Sequence, residues 1–477
     1  MVQARHHYDG QRVAVLGMGG TGLSFVRHLR ALGARLSAFD EGDEAALAGV
    51  RSALPEDVVL ARIDGARDRL PADIDWVALS PGFPRAKAVV RQALARGLPV
   101  RGDIELFAHA LPSSARVLSV TGSNGKSTTT ALAEQLARIH DPSARAAGNI
   151  GEPVLDALAA APATATWVLE LSSFQLESTW SLVSAAATVL NVSPNHLDRY
   201  DSFFAYAAAK ARVFDHAQRR IINRDCAWSS SLRPVQAERG QCVSFGLGAP
   251  PGADDYGLHA DADAPILAKG SRAFCEVGRL RLHGRHQHAN ALAALALAEC
   301  ATSEGWTEAT IERAAEVLAG FRGLPHRMAA LGQIDGVRLI DDSKATTVVS
   351  TSSALTGLAE PVHLIAGGDG KGQSFEPLGT ALSGRCRSVY LIGKDAGVIA
   401  AVCASHGVPA RRFASLEEAT GAALDAARPG EVVLLSPACA SWDMFRSYVE
   451  RANVFATAAM HWAQAHGRHF VSAKEPS

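Results

Sequence analysis

The chain has 477 residues, 48% hydrophobic and 20% charged, with 47 basic against 48 acidic side chains and a net charge of −1. That length allows roughly two to four domains, each long enough for its own core, and the ordinary globular composition excludes disordered, collagenous and coiled-coil chains. A net charge so close to zero supplies no global field to recruit nucleic acid or an anionic membrane.

The longest apolar stretch, 289–300, is too short to cross a bilayer, and Met1–Gln11 carries no apolar signal region. Seven cysteines (226, 242, 275, 300, 386, 403 and 439) are scattered, odd in number and never spaced CxxC, against a disulfide framework or a zinc knuckle. The expectation is a cytoplasmic monomer with no nucleic-acid partner and no membrane span. Only eight of the 47 basic residues are Lys, which draws attention to any Lys in a Gly-rich or Ser-rich loop.

In chain order, β-branched runs at 13–16, 36–39, 76–79, 117–120, 167–171, 188–192, 338–340, 363–366, 389–392 and 432–435 alternate with Ala/Leu-rich helical stretches. This alternation predicts parallel sheets built from βαβ units, with ligands at the carboxyl ends of the strands. Residues 223–285 break the rhythm with Gly/Asp/Pro turns and short alternating runs (242–245, 279–282), which predict a small antiparallel insertion. Boundaries at Gly102–Pro112 and Gly320–Pro325 divide the chain into modules 1–104, 105–323 and 324–477.

Gly17-Met18-Gly19-Gly20-Thr21-Gly22 follows the first strand, and Asp40 ends the second. The GxGxxG pattern brings backbone N–H groups close to a diphosphate. It serves a dinucleotide, another nucleotide diphosphate such as a UDP-sugar, or a structural turn; the first option makes an NAD-dependent dehydrogenase the rival function. Thr121-Gly122-Ser123-Asn124-Gly125-Lys126-Ser127-Thr128 is more specific. Placed between a strand and a helix, it is a phosphate loop: glycines bare the backbone, Lys126 meets the β/γ-phosphates, and a Ser127 or Thr128 hydroxyl reaches Mg²⁺. It predicts ATP binding.

Glu170 ends the 167–171 strand and His196 follows the 188–192 strand, so both stand on the carboxyl edge that carries the phosphate loop. There they can complete a Mg²⁺ shell, although each also reads as an ordinary loop residue. Lys210, on a helical stretch, reads by itself as an exposed lysine. In the third module His326-Arg327, Asp342–Thr346, Gly367–Gly372 and Ser436–Asp443 give Gly/Ser/Asp/Lys loops after the strands, the composition of a site for a small anionic substrate and a nucleotide edge. Cys439 reads as a small buried residue, since no base is assigned to it.

Thr121–Thr128, Glu170–Gln175, Asn195–Asp198, His286–Asn290, Gly323–Arg327, Asp342–Thr346 and Ser436–Ser441 stand in the order seen in the Mur ligases, and the chain resembles that family over its whole length. Those enzymes build the peptide stem of bacterial peptidoglycan. Gly102–Phe107, Leu169–Glu177, Gly367–Gly372 and Ser436–Ser441 resemble the branch that adds glutamate. The resemblance implies an α/β fold of three domains: a Rossmann-like N-terminal domain, a central P-loop ATPase-like domain with the antiparallel insertion, and a Rossmann-like C-terminal domain. It implies an ATP-dependent ligase joining D-glutamate to UDP-N-acetylmuramoyl-L-alanine; L-glutamate is the alternative acceptor.

Carried over residue by residue, the resemblance implies ATP contacts at Gly122, Ser123, Asn124, Gly125, Lys126, Ser127, Thr128, Asn290, Arg327 and Asp342. It implies two Mg²⁺ ions held by Ser127, Glu170, His196 and a carbamylated Lys210, with catalytic roles for Lys126, His196 and Lys210. Substrate contacts are implied at Gly20, Thr21, Ser80, Asn149, Ser172 and Gln175, and glutamate contacts at Thr346, Lys371, Ser441 and Tyr448. The chain departs from the family in carrying Glu41-Gly42 near the expected uracil and Trp442 and Tyr448 beside the amino acid.

Overall fold

The structure, a computed structural model, describes residues 8–42, 44–63, 69–194, 199–233, 241–259, 264–282, 284–370 and 372–473. The chain divides into two compact units, Met1–Arg279 with Ala289–Ala319 and Leu280–His288 with Gly320–Ser477.

The first unit holds two sheets. Strands β1 (Arg12–Leu16), β2 (Arg35–Asp40), β3 (Val59–Arg62), β4 (Trp76–Leu79) and β5 (Val100–Arg101) pair in parallel in the order β3-β2-β1-β4-β5. The larger sheet contains β6 (Arg116–Thr121), β7 (Arg145–Gly148), β8 (Thr166–Glu170), β9 (Ala186–Val189), β10 (Arg220–Asn223), β11 (Cys242–Phe245), β12 (Tyr256–His259), β13 (Ile266–Lys269) and β14 (Arg272–Glu276). Its order is β14-β13-β12-β11-β10-β9-β6-β8-β7.

The antiparallel expectation for 223–285 is met only in part. β12, β13 and β14 are antiparallel, but β11 pairs in parallel with both neighbours, so the segment extends the edge of the main sheet. Residues 279–282 form no strand, and their alternation reflects the burial of Leu280 and Leu282. β9 also ends earlier than its apolar run suggests. Asn191 leaves the sheet because its side chain and backbone are engaged by the 121–128 loop. The long apolar stretch is a helix, Arg285–Ala298, whose Ala291–Ala298 segment is at most 1% exposed. A helix apolar on every side belongs inside a core.

The second unit is one seven-stranded sheet: β15 (Ala329–Ile334), β16 (Val337–Asp341), β17 (Val362–Gly367), β18 (Cys386–Ile392), β19 (Ala410–Arg412), β20 (Val432–Leu435) and β21 (Phe470–Ser472), ordered β19-β18-β17-β20-β16-β15-β21. Its first five members in that order are parallel; β15 and β21 close the edge in antiparallel fashion. Val362, Leu364, Val432 and Leu434 pack into one core while Ile365, Val433 and Leu435 pack into another. Alternate side chains therefore feed two apolar layers, as expected of a parallel sheet covered on both faces. Among the described residues no helix is long and apolar enough to cross a membrane.

Candidate active site

The loop between β6 and the helix Lys126–Ala137 sits where two features of its sequence require it. Gly122 and Gly125 adopt φ of 155° and 82°, a region that favours glycine. A Cβ on Gly125 would lie 2.4 Å from Asn290 Oδ1, so the helix Arg285–Ala298 seats its Asn290 directly against the loop. Asn191 holds the loop from the other side: its Oδ1 accepts from Asn124 N–H (2.9 Å) and its Nδ2 donates to the Asn124 carbonyl (3.0 Å). Ser123 Oγ lies 3.0 Å from the Tyr206 hydroxyl.

Two lysine amines converge on one carbonyl of this loop. Lys126 Nζ donates to Gly122 O (2.9 Å) and Ser123 O (3.0 Å), and Lys210 Nζ donates to Gly122 O (2.8 Å). Lys210 is only 2% exposed, so the expectation of an exposed helical lysine is overturned. The helix Phe203–Ala211 turns Tyr206, Ala207, Ala209 and Lys210 inward, and Lys210 Nζ stands 4.6 Å from the Tyr206 ring centre. Burial, reinforced by the Lys126 charge and opposed by Glu170, pulls the Lys210 amine well below the usual lysine range. Glu170, also 2% exposed, accepts from Asn149 Nδ2 (2.8 Å) at Oε1, while its buried Oε2 has no hydrogen-bond partner among the described residues. A buried carboxylate oxygen left without a partner among the described residues is a donor that suits a hard divalent cation.

The Gly17–Gly22 turn lies at the carboxyl end of β1, where Gly17 packs against Ser80 and Gly20 lies near Pro153. Both oxygens of Asp40 are engaged by the chain's own backbone, accepting from Met18 N–H and from Gly42 N–H (2.9 Å). The carboxylate that would hold a dinucleotide ribose is thus tied into the turn, which weighs against the dehydrogenase reading. Ser172 caps the short helix Ser173–Leu176 in a reciprocal box with Gln175, whose Nε2 donates to Asp103 Oδ2 (2.9 Å). Arg199 spans toward the first sheet: its guanidinium donates to Pro81 O (3.1 Å) and Gly82 O (3.2 Å) and lies 3.9 Å from the Phe174 ring centre.

In the second unit Arg327, Thr346, Ser441 and Tyr448 line one cavity of about 350 Å³, with Lys344, Ala440, Trp442 and Ser447 completing it. Asp342 is buried. Its Oδ2 accepts from Ser436 Oγ (2.7 Å) and its Oδ1 from Met328 N–H (3.2 Å). Burial pushes this carboxyl up to about 7 against the restraining hydrogen bonds. Cys439 is fully buried and its thiol is pushed up to about 12, chiefly by burial, which suits a packing residue and not a nucleophile.

The Asp342 shift predicts a pH dependence of stability. Between its ordinary 3.8 and about 7 the folded state keeps a proton that the unfolded chain releases, so this group withdraws stability as pH rises through that window. Asp342→Asn, which cannot ionise, should gain thermal stability over wild type progressively from about pH 4 to about pH 7 and hold a constant gain above it. Thermal melts across that range check this. A pH-independent difference would mean that the carboxyl is not buried at a cost.

Models of protein families match the chain in three segments: the Mur ligase MurD-like N-terminal domain over residues 11–102, the Mur ligase middle domain over 120–298, and the Mur ligase glutamate ligase domain over 326–439. The UDP-N-acetylmuramoylalanine–D-glutamate ligase of Methylobacillus flagellatus is 46% identical over 452 residues, covering 94% of this chain and 96% of that protein. The chain belongs to the Mur ligase family. The enzyme of the same name from Nitrosomonas europaea is 42% identical over 95% of this chain and 96% of its own length. Among solved structures, UDP-N-acetylmuramate-alanine ligase from Thermotoga maritima matches with a TM-score of 0.58 at 18% identity, over 96% of this chain and 99% of that one. A D-alanyl-D-alanyl-adding ligase from Acinetobacter baumannii, named in full as UDP-N-acetylmuramoylalanyl-D-glutamyl-2,6-diaminopimelate–D-alanyl-D-alanyl ligase, matches at 0.55 and 18%, over 96% and 92%. At such identities these two speak for the fold.

In this Mur ligase the first unit brings together Gly122–Thr128, Asn149, Glu170, Lys210 and Asn290, and the second brings together Arg327, Thr346, Ser441 and Tyr448. His196 and Lys371, both expected at the site, lie outside the described residues. Lys344 and Tyr206 were not singled out in the sequence. Lys344 lines the cavity with its Nζ 5.3 Å from the Tyr448 ring centre, and its signal was a rare lysine inside a Ser-containing loop. Tyr206 touches both Ser123 and Lys210 and carries no local motif at all.

Proposed function

We propose that this Mur ligase forms the amide between D-glutamate and the L-alanyl carboxylate of UDP-N-acetylmuramoyl-L-alanine, a step of cell-wall peptidoglycan synthesis, with ATP converted to ADP and phosphate. The observation that carries the reading is the 46% identity to a D-glutamate ligase over nearly the full length of both chains. The work divides by module: residues 1–104 take the UDP end through Gly20, Thr21 and Ser80, residues 105–323 take ATP, and residues 324–477 take the amino acid and part of the nucleotide. The enzyme works in the cytoplasm and as a monomer.

The alanyl carboxylate oxygen attacks the γ-phosphorus and ADP leaves, giving an acyl phosphate. The D-glutamate amine then adds to the acyl carbon, and the tetrahedral intermediate collapses with loss of inorganic phosphate and a proton. Phosphoryl transfer of this kind is helped mainly by alignment and charge neutralisation. Lys126 swings from its loop carbonyls to the β/γ-phosphates, which the backbone N–H groups of Gly122–Thr128 cradle. Asn290, Arg327 and Asp342 contact the nucleotide. Asn149, Ser172 and Gln175 place the sugar-linked alanyl group near Glu170. Thr346, Lys371 and Ser441 receive the glutamate carboxylates, with Tyr448 against the side chain.

Ser127, Glu170, His196 and Lys210, the last as a carbamate, would hold two Mg²⁺ ions, which when bound screen the phosphate charge. The buried Lys210 amine, held toward its neutral form, is chemically able to add CO₂, as an Arg could not.

The test is phosphate release with ATP, Mg²⁺ and UDP-N-acetylmuramoyl-L-alanine, comparing D-glutamate, L-glutamate and no amino acid. Release and product only with D-glutamate is expected. Release only with L-glutamate keeps the chemistry and changes the acceptor; release with neither, despite ATP binding, refutes the reading.

A further inference from the structure

Whereas Arg446, just before the helix Tyr448–Ala465, reaches solvent and pairs with Glu450, Arg451, one turn into that helix, is 0% exposed. Its guanidinium meets no carboxylate within ion-pair distance among the described residues. It instead donates to Ser343 Oγ (3.0 Å), Ser343 O (2.7 Å) and Cys439 O (3.1 Å). Ser343 Oγ in turn donates to Tyr448 O (2.8 Å). One side chain thus ties together the loop after β16, the loop after β20 and the first turn of its own helix. Those three segments supply Lys344 and Thr346, Ala440 to Trp442, and Ser447 with Tyr448, which with Arg327 are the whole lining of the 350 Å³ cavity.

A buried cation without a paired anion is costly, and removing it in favour of an apolar side chain is often neutral or stabilising. Stability alone therefore does not account for Arg451. Geometry and charge do: a planar fork joins two loops at a fixed separation, and its positive charge sits behind a pocket lined by Arg327, Lys344 and four hydroxyl-bearing side chains. That is an environment for a small anion.

We propose that Arg451 is the positioning residue of the amino-acid pocket, holding the Ser343–Thr346 and Cys439–Ser441 loops at the spacing that receives the carboxylates of the incoming amino acid. The inference rests on the D-glutamate ligase reading above.

Steady-state kinetics on the full-length enzyme, varying each of the three substrates in turn, test it with Arg451→Met and Arg451→Lys, alongside thermal melts. Met keeps the bulk but leaves two buried carbonyls without a donor, so KM for D-glutamate should rise roughly 10-fold or more while KM for ATP and for the UDP-linked substrate stays near wild type. Lys keeps the charge but not the fork, and should fall between the two. A KM for D-glutamate unchanged in Arg451→Met overturns the proposal, as does a parallel rise in all three KM values with a fall in melting temperature. Should the Met variant fail to fold, the Lys variant decides by the same selective shift or its absence. Wild type without D-glutamate-dependent phosphate release would refute the functional reading instead, a result the variants cannot mimic.

Discussion

Lys126→Ala should abolish phosphate release while leaving the UDP-linked substrate bound with near wild-type affinity. The Lys126 ammonium donates to Gly122 O and Ser123 O, within the loop that would hold the phosphates. A cation that meets charge developing on a transferred phosphoryl group is worth on the order of 10³-fold in rate, or about 4 kcal/mol of transition-state stabilisation. The loop itself should survive the change. Asn191 still grips Asn124 at both backbone groups, Lys210 still donates to Gly122 O, and Asn290 still abuts Gly125. The UDP end, expected on the first sheet, touches none of these. Calorimetry with the UDP-linked substrate and a phosphate-release assay separate the two effects. Loss of both together would contradict the modular division of labour.

Lys210→Ala is expected to lower kcat by about 10²-fold, with partial recovery on adding acetate or formate. Lys210 is buried, stacked near Tyr206 and bonded to the phosphate loop, and three features converge on it: burial, the neighbouring Lys126 charge and the Glu170 carboxylate. The first two favour a neutral amine. A neutral lysine amine can take up CO₂ to become a carboxylate, and a small carboxylate can occupy the space its loss leaves. Activity of the wild type should also fall in bicarbonate-depleted buffer and return when bicarbonate is restored. If no carboxylate rescues Lys210→Ala at any concentration, and bicarbonate has no effect, the lysine serves the loop as an ammonium donor alone.

Much of the scaffold was legible because its signals are local. The runs at 13–16, 76–79 and 432–435 are apolar throughout, and the structure buries the corresponding strands on both faces. The phosphate loop announces itself by two glycines whose φ values no other residue adopts easily, placed between a strand and a helix. The errors came where tertiary contacts outweigh local pattern. The run at 188–192 looks uniformly strand-like, yet Asn191 is drawn out of the sheet by hydrogen bonds to a loop 67 residues away. The alternation at 279–282 marks burial without any strand partner.

The amino-acid sequence alone determined the α/β layering, the position of the phosphate loop and the family, since each depends on residues adjacent in the chain or on motifs in a set order. Only the tertiary structure decided which polar groups are buried and what they meet. Lys210 reaches Gly122 across 88 residues, and Arg451 reaches Ser343 across 108. Lys210 reads as a surface residue in its helical window, because nothing within one turn of the chain records whether a charge will be removed from water. Burial is a property of the packed whole: it depends on which distant segments close over the side chain, and it is that closure which turns Lys210 toward a neutral amine and makes Arg451 the tie between two loops.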